Sequence, residues 1–193
     1  MHDIFVTDGI VLGKRLFGEA NTSIAVLTRD FGVIRVGARS ARLERSKLRY
    51  GLETLTHGTF SLVRGRYEWK LTGAQDLSRN YFGTTLSQRR SAGRVARLLL
   101  RLIHGEEEVS ELYETVSAGL AYLAGDVREE DIEQVECVLV LRILSNLGYV
   151  EEGDAVRPFI ESVQFTPALV ADARALRPTL IRTINESLGA TGL

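Results

Sequence analysis

Residues 23–39 read SIAVLTRDFGVIRVGAR, two short apolar segments joined by the turn Asp30-Phe31-Gly32. Two such segments around a short loop that contains glycine are typical of a β-hairpin. In the second segment apolar residues alternate with arginine and glycine, so the apolar side chains share one face of the strand and the arginines the other. The hairpin is therefore predicted to have one buried face and one basic face.

Further strands are predicted on both sides of this hairpin. Residues 4–16 hold two apolar patches around Asp8-Gly9, and residues 55–63 and 67–72 form two more segments around a turn at residues 64–66. Five short strands in about 75 residues, with one long basic connection, are typical of a small closed barrel. Barrel interiors need apolar bulk, so Trp69 is predicted to lie in the core.

After about residue 80 the apolar residues follow the period of an α-helix. Three helices are predicted over residues 86–104, 109–123 and 129–147, with a last helix over residues 178–188. The third contains CVLVLRIL, which is apolar on nearly every side and is typical of the central helix of a bundle. The fold class is therefore predicted to be α+β in two parts, a barrel domain over residues 1–78 and an α-helical domain over residues 79–193.

Composition narrows the class of protein. The apolar fraction of 45% and the charged fraction of 25% are ordinary for globular proteins. Cys137 is the single cysteine, which excludes an intramolecular disulfide and a zinc site built from cysteines, and its apolar neighbours predict a buried side chain. The start of the sequence lacks the pattern of a signal peptide, and no apolar run reaches the length of a membrane span, so an intracellular protein with no membrane partner is expected.

Charge is distributed unevenly along a chain whose formal net charge is only −1. Residues 1–80 carry 13 Lys/Arg and 8 Asp/Glu, whereas residues 81–193 carry 11 and 17. Within the first part, residues 35–49 read RVGARSARLERSKLR, six basic residues against one acid. The segment is either a solvated surface loop or a contact for a polyanion.

A small barrel with a basic face can bind nucleic acid, because Lys and Arg neutralise phosphates while unstacked bases lie on aromatic rings. Tyr50, next to the basic segment, is the predicted stacking ring. The predicted cations are Arg35, Arg39, Arg42, Arg45, Lys47 and Arg49, with Arg64 and Arg66 from the following turn.

A second basic surface is predicted on the first helix. Its basic residues recur at helical spacing beside an apolar stripe and are Arg90, Arg94, Arg97 and Arg101, followed by His104. A basic face next to an apolar one can bind an acidic peptide with a hydrophobic end. The alternative is a solvated outer face.

Catalytic motifs are lacking in the sequence. There is no phosphate-binding GxxxxGK[ST] loop, no GxGxxG after a strand, and no Ser or Cys nucleophile paired with a nearby base. The three histidines are scattered, and Glu106-Glu107-Glu108 is expected to be a solvated link. The sequence therefore predicts a binding protein and not an enzyme, with no cofactor and no metal.

Residues 8–65 contain GIVL at residues 9–12, GEAN and LT within residues 18–28, the Phe31-Gly32 turn, and a basic connection that ends in SKL and Leu52. With these markers the segment resembles the amino-terminal domain of RecO, the bacterial recombination and repair protein. LRILSNLGYV at residues 141–150 resembles a leucine-rich stretch of the same family, and residues 180–193 resemble the last helix of its shorter members.

The resemblance implies an OB-fold domain followed by a helical domain, and a recombination mediator located in the bacterial cytoplasm with the nucleoid. Such proteins bind single- and double-stranded DNA, anneal strands, and help to load RecA onto strands coated by single-strand-binding protein. Their partners are RecR and the acidic tail of single-strand-binding protein. The four-cysteine zinc site of some members is absent, since Cys137 stands alone.

Two other functions stay open at this point. The chain could be an adaptor that docks an acidic tail through its helical domain with only weak DNA contact. An OB-fold nuclease is the third hypothesis, and no cluster of ligands or bases in the sequence favours it.

Overall fold

The computed structural model describes residues 3–17, 21–39, 52–66, 68–151 and 153–191. Its first part is a closed barrel with the strand order β1-β2-β3-β5-β4. The strands are β1 (Ile4–Phe17), β2 (Asn21–Thr28), β3 (Gly32–Ala38), β4 (His57–Arg64) and β5 (Trp69–Ser78). The predicted hairpin forms from β2 and β3, and β1 closes the barrel because it pairs with both β2 and β4.

Alternation along the strands fills the barrel with apolar side chains. Trp69, 3% exposed, lies in this core as the sequence predicts, and Phe60 is fully buried. The parallel pairing of β3 with β5 places Val36 beside Trp69 and Gly37 beside Lys70. The remaining core residues are Val11, Ile24, Val26, Ile34, Ala38, Leu52 and Leu62.

One end of the barrel is closed by three aromatic rings and an acidic side chain. Phe5 and Phe31 pack against Trp69 with ring centroids 5.4 and 5.1 Å away. Trp69 donates its indole N–H to Glu106 at 3.1 Å. The turn residue Gly32 has φ +63°, and a Cβ there would lie 2.7 Å from the carbonyl oxygen of Glu107, so both conformation and space require glycine. The acidic link is thus not merely solvated.

The rest of the chain is helical. The predicted helices appear as α1 (Leu86–Leu102), α2 (Ser110–Ala124), α3 (Ile132–Asn146) and, further on, a helix over Arg177–Ala190. A 3₁₀ turn over Glu129–Asp131 precedes α3. Two further helices, α4 (Arg157–Ile160) and α5 (Pro167–Ala175), were not predicted, so the last helix is α6. Pro158 and Pro167 each lie in the first turn of one of these helices, where proline needs no N–H partner.

Contacts between residues divide the chain into two compact units. Met1–Gly83 and Ala96–Ser110 form the barrel unit, while Thr84–Val95 and Glu111–Leu193 form the helical unit. Each unit therefore contains part of α1. The domain limits at residues 78 and 79 stay a prediction.

The helical unit packs around α3, as its apolar sequence predicts. Val135, Val138, Leu139 and Leu144 are completely buried. Among the described residues no helix combines the length and the apolar character needed to cross a membrane.

One charged residue is buried within α3. Arg142 is 1% exposed and donates to the carbonyl oxygens of Phe159, Val163 and Gln164 at 2.6, 2.9 and 3.0 Å. Its guanidinium also lies 4.3 Å from the ring centroid of Phe165. Burial lowers the pKa of Arg142 to about 10, which still leaves it charged at neutral pH. Arg142 thereby ties α3 to α4 and to the chain between α4 and α5.

Candidate nucleic-acid interface

Two predicted cations lie on the outer face of β3. Ile34 and Val36 are buried in the barrel, so the alternation of the strand turns Arg35 outward, and Arg39, just beyond the strand, is also exposed. Gly37 lies between the two arginines in the outer row, and its neighbour across the parallel pairing is Lys70. Arg35, Arg39 and Lys70, all exposed, make up the outer basic row.

Glu68 interrupts the outer basic row. Its carboxylate lies over Gly37, in the space that a Cβ at that position would occupy. The negative charge therefore lies between Arg35 and Arg39 and offsets part of their attraction for an anion. The sequence predicts a strand over residues 67–72 but does not show that its Glu68 and Lys70 lie beside Arg35 and Arg39. The pairing that brings them together links residues 33 positions apart along the chain.

The remaining candidates of the basic segment lie outside the described residues. They are Arg42, Arg45, Lys47, Arg49 and Tyr50. The described chain stops at Arg39, at the end of β3, and resumes at Leu52, which is 1% exposed in the barrel core. Both ends of the segment are thus attached to the barrel, and the outer basic row leads directly into it.

Arg64 and Arg66 flank Gly65 in the turn between β4 and β5, and both are exposed. Arg64 pairs directly with the buried Trp69 in the β4–β5 register, so it points to the side of the inward-facing row. Its guanidinium lies 5.6 Å from the Trp69 ring centroid and 2.8 Å from a carboxylate oxygen of Glu106. The structure therefore uses Arg64 at the closed end of the barrel and does not bring it to the outer basic row.

The four arginines predicted to bind a peptide are exposed along α1. Arg94 forms a bidentate ion pair with Glu136 of α3, with 2.7 Å between Nε and Oε1. This hydrogen bond raises the pKa of Arg94 above its ordinary value. Arg90, Arg97 and Arg101 form no ion pair with another residue of the described ranges. His104, also exposed, lies beyond the end of α1.

A cavity of about 460 Å³ opens in the helical unit next to Arg94. Two ion pairs lie at its edge, Arg94 with Glu136 and Arg177 with Glu133, the latter at 2.6 Å. The apolar part of the lining consists of Cys137, Val140, Ile181 and Ile184. This cavity offers an apolar floor, and both arginines at its edge are paired with glutamates.

The sequence predicts a buried side chain for Cys137, but the side chain is only half-buried. Burial raises the pKa of its thiol to about 11, so the thiol is protonated at neutral pH and is a poor nucleophile. His57, at the start of β4, has its pKa lowered by burial and is neutral at pH 7. In the part of the chain that the structure describes, no three His, Cys, Asp or Glu side chains lie together in a way that could hold a metal ion.

Comparison with known families agrees with this geometry. The family model described as Recombination protein O N terminal matches residues 1–77. This range includes β1 to β4 completely and all of β5 except its last residue, Ser78. Residues 1–77 of this chain are therefore similar to the amino-terminal domain of RecO proteins. The resemblance stated from the sequence is confirmed, and the closed barrel is the OB-fold of a RecO domain. The prediction of an α+β chain with this barrel first and helices after it is also confirmed.

Individual relatives extend the RecO similarity into the helices. DNA repair protein RecO of Dehalococcoides mccartyi is 40% identical over 76 residues, which cover 39% of this chain and 30% of the relative. The proteins of the same name in Heliobacterium modesticaldum and Thermodesulfovibrio yellowstonii are each 28% identical over 153 residues, 77% of this chain. Those matches cover 53% and 59% of the relatives, so the chain spans about half the length of the curated RecO proteins that it matches most extensively.

Proposed function

We propose that this chain is a DNA-binding mediator of DNA repair. The observation that carries the proposal is the RecO-type barrel, on which exposed Arg35 and Arg39 lead into the basic segment at residues 40–51. Phosphate groups are attracted to such a row whatever the base sequence, and binding releases their condensed counterions. The barrel is therefore the proposed site for both single- and double-stranded DNA.

Annealing of complementary strands follows from the same chemistry. Two strands repel one another through their phosphates, and cations on one protein surface lower that repulsion while leaving bases free to pair. No covalent step is needed, so the proposed activity is not enzymatic and requires no cofactor. In a bacterial cytoplasm, at the nucleoid, the chain would act with RecR and help to load RecA onto strands coated by single-strand-binding protein.

Fluorescence anisotropy of a labelled oligonucleotide tests the DNA-binding proposal. Wild-type protein is expected to bind with an affinity that falls steeply with salt, by about 0.7 in the log–log slope for each single-strand phosphate contacted. Arg42→Glu/Arg45→Glu should weaken binding and flatten that slope. A matched control is Arg157→Glu/Arg182→Glu, which makes the same change in net charge on exposed residues of the helical unit. Equal effects of the two double variants would show that only net charge matters, and would contradict a site at the basic segment.

A second proposed function is that of an adaptor, supported by the cavity beside Arg94. Cations next to an apolar floor suit a peptide that combines acidic residues with a hydrophobic end. Arg94 lines the cavity but is paired with Glu136, so Arg90, in the adjoining pocket that Arg94 also lines, supplies the cation, and Ile181, 38% exposed, lies on the cavity floor. The proposed ligand is the acidic tail of single-strand-binding protein.

Calorimetric titration with an acidic peptide that ends in phenylalanine tests the adaptor proposal. Arg90→Glu and Ile181→Asp are each expected to weaken peptide binding about tenfold, since each removes one of the two kinds of contact. Both variants should leave DNA affinity on the barrel unchanged. Normal peptide binding by both variants would exclude the cavity as the peptide-binding site.

A further inference from the structure

Phe82 is presented to solvent in the connection between β5 and α1. Its side chain is 83% exposed, the largest value for any large apolar side chain among the described residues. Of the phenylalanines whose side chains the structure describes, the others are buried or half-buried.

The turn that carries Phe82 is held in place. The N–H of Phe82 donates to the carbonyl oxygen of Arg79 at 2.9 Å, and the preceding Tyr81 is only 7% exposed. Gly83 follows with φ +101°, a conformation that side-chain-bearing residues rarely adopt. One aromatic side chain therefore anchors the turn while the next is directed into water, so the exposed ring has a defined position.

Positive charge accompanies the exposed ring. The guanidinium of Arg79 lies 5.4 Å from the centroid of the Phe82 ring. Residues 77–105 contain six arginines and no aspartate or glutamate, so the connection and α1 are basic in sequence without interruption. An aromatic ring with a neighbouring cation is the combination with which proteins hold single strands, the ring stacking on a base and the cation pairing with phosphate.

We propose that Phe82 and Arg79 form a platform on which an unpaired base of single-stranded DNA stacks. The inference rests on the proposed DNA-binding function and adds a residue that discriminates between single strands and duplexes. In a duplex both faces of each internal base are already covered by its neighbours, so the ring has nothing to stack on. The outer basic row can contact the phosphates of both single-stranded and duplex DNA, whereas the platform binds only single-stranded DNA.

Anisotropy with a single strand and with a blunt duplex of the same length tests the platform. Phe82→Ala should weaken single-strand binding about fivefold or more, the lower end of what one stacked base contributes. Duplex affinity should not change. Phe82→Leu keeps an apolar side chain without the ring and should bind single strands as weakly as Phe82→Ala, whereas Phe82→Tyr should bind them like wild type. Because the ring is outside the core, thermal unfolding of each variant should match wild type.

Salt dependence separates the two members of the platform. Stacking releases no counterions, so Phe82→Ala should lower affinity without changing the log–log salt slope, and Arg79→Gln should reduce that slope by about 0.7. Single-strand binding by Phe82→Ala or Phe82→Leu that equals wild type would overturn the platform and favour a protein partner for this ring, with the DNA-binding proposal intact. Absence of any DNA binding by the wild-type chain would instead overturn both.

Discussion

Replacement of Arg142 by methionine tests how the helical unit is held together. The guanidinium of Arg142 satisfies three backbone carbonyl groups, and methionine would fill the space of the stem without donating to any of them. Phe159 is 1% exposed, so its carbonyl oxygen would stay buried without a partner at a cost of about 1–3 kcal/mol. The carbonyl groups of Val163 and Gln164 belong to exposed residues and can bind water, which limits each loss to about 1 kcal/mol.

Together these losses predict that the Arg142→Met variant is less stable by about 3–5 kcal/mol. Urea unfolding followed by circular dichroism at 222 nm reports on the helices, while the fluorescence of Trp69, the single tryptophan, reports on the barrel. The Arg142→Met variant should lower the urea midpoint of the circular-dichroism transition and leave the midpoint of the fluorescence transition almost unchanged. Arg142→Lys keeps the charge but lacks the planar guanidinium group with its several N–H donors. Its stability should therefore lie between that of wild type and that of Arg142→Met. A loss below about 1 kcal/mol for methionine would refute the reasoning, since it would mean that the three bonds are no better than bonds to water.

Three further predictions concern other parts of the chain. Gly119→Ala should lower thermal stability by about 1–2 kcal/mol, because its Cβ would lie 2.5 Å from the fully buried Leu139, and unchanged stability would contradict this close packing. Alkylation of Cys137 by iodoacetamide should accelerate with pH up to about 11, where the thiol ionises, so a plateau near the ordinary 8.5 would show an unshifted pKa. Glu68→Gln should tighten DNA binding about twofold to fivefold in anisotropy at low salt, because it removes the anion from the outer basic row, and unchanged binding would place Glu68 outside the site.

Local patterns in the sequence were sufficient to predict the barrel. The alternation in residues 33–39, the Asp30-Phe31-Gly32 turn and the apolar face that includes Trp69 depend on neighbours within a few positions. The first three helices are likewise predicted from apolar residues that recur at helical spacing. Such features can be predicted from the sequence because the spacing of apolar residues decides which face of a strand or helix is buried.

Features that depend on distant partners could not be predicted. Arg142 interrupts an apolar helix, and only the fold shows that the chain 17 to 22 residues later supplies three carbonyl groups to it. Glu106 belongs to an acidic run that suggests a solvated link, yet it binds Arg64 and Trp69 across 42 and 37 residues. Helices α4 and α5 are short and have a proline in the first turn, a residue that can either break or begin a helix.

The candidate site was predictable in charge but not in arrangement. Arg35 and Arg39 were identified from alternation, and their exposure on the outer face of the barrel agrees with it. The contribution of Lys70 and the opposing charge of Glu68 depend on the parallel pairing of β3 with β5, which no local pattern reveals. Exposure of Phe82 was equally hidden, since an aromatic residue next to Tyr81 gives no signal of which ring is buried.

The most direct test of the central claim is the salt slope of single-strand binding for Arg35→Gln/Arg39→Gln compared with wild type. Both residues are exposed and neither side chain supports the core, so the variant should fold normally. If the outer face of β3 holds DNA through phosphates, the slope should fall by about 1.4, or 0.7 for each lost contact, with weaker binding at every salt concentration. An unchanged slope and affinity would contradict a DNA site on the outer face of β3.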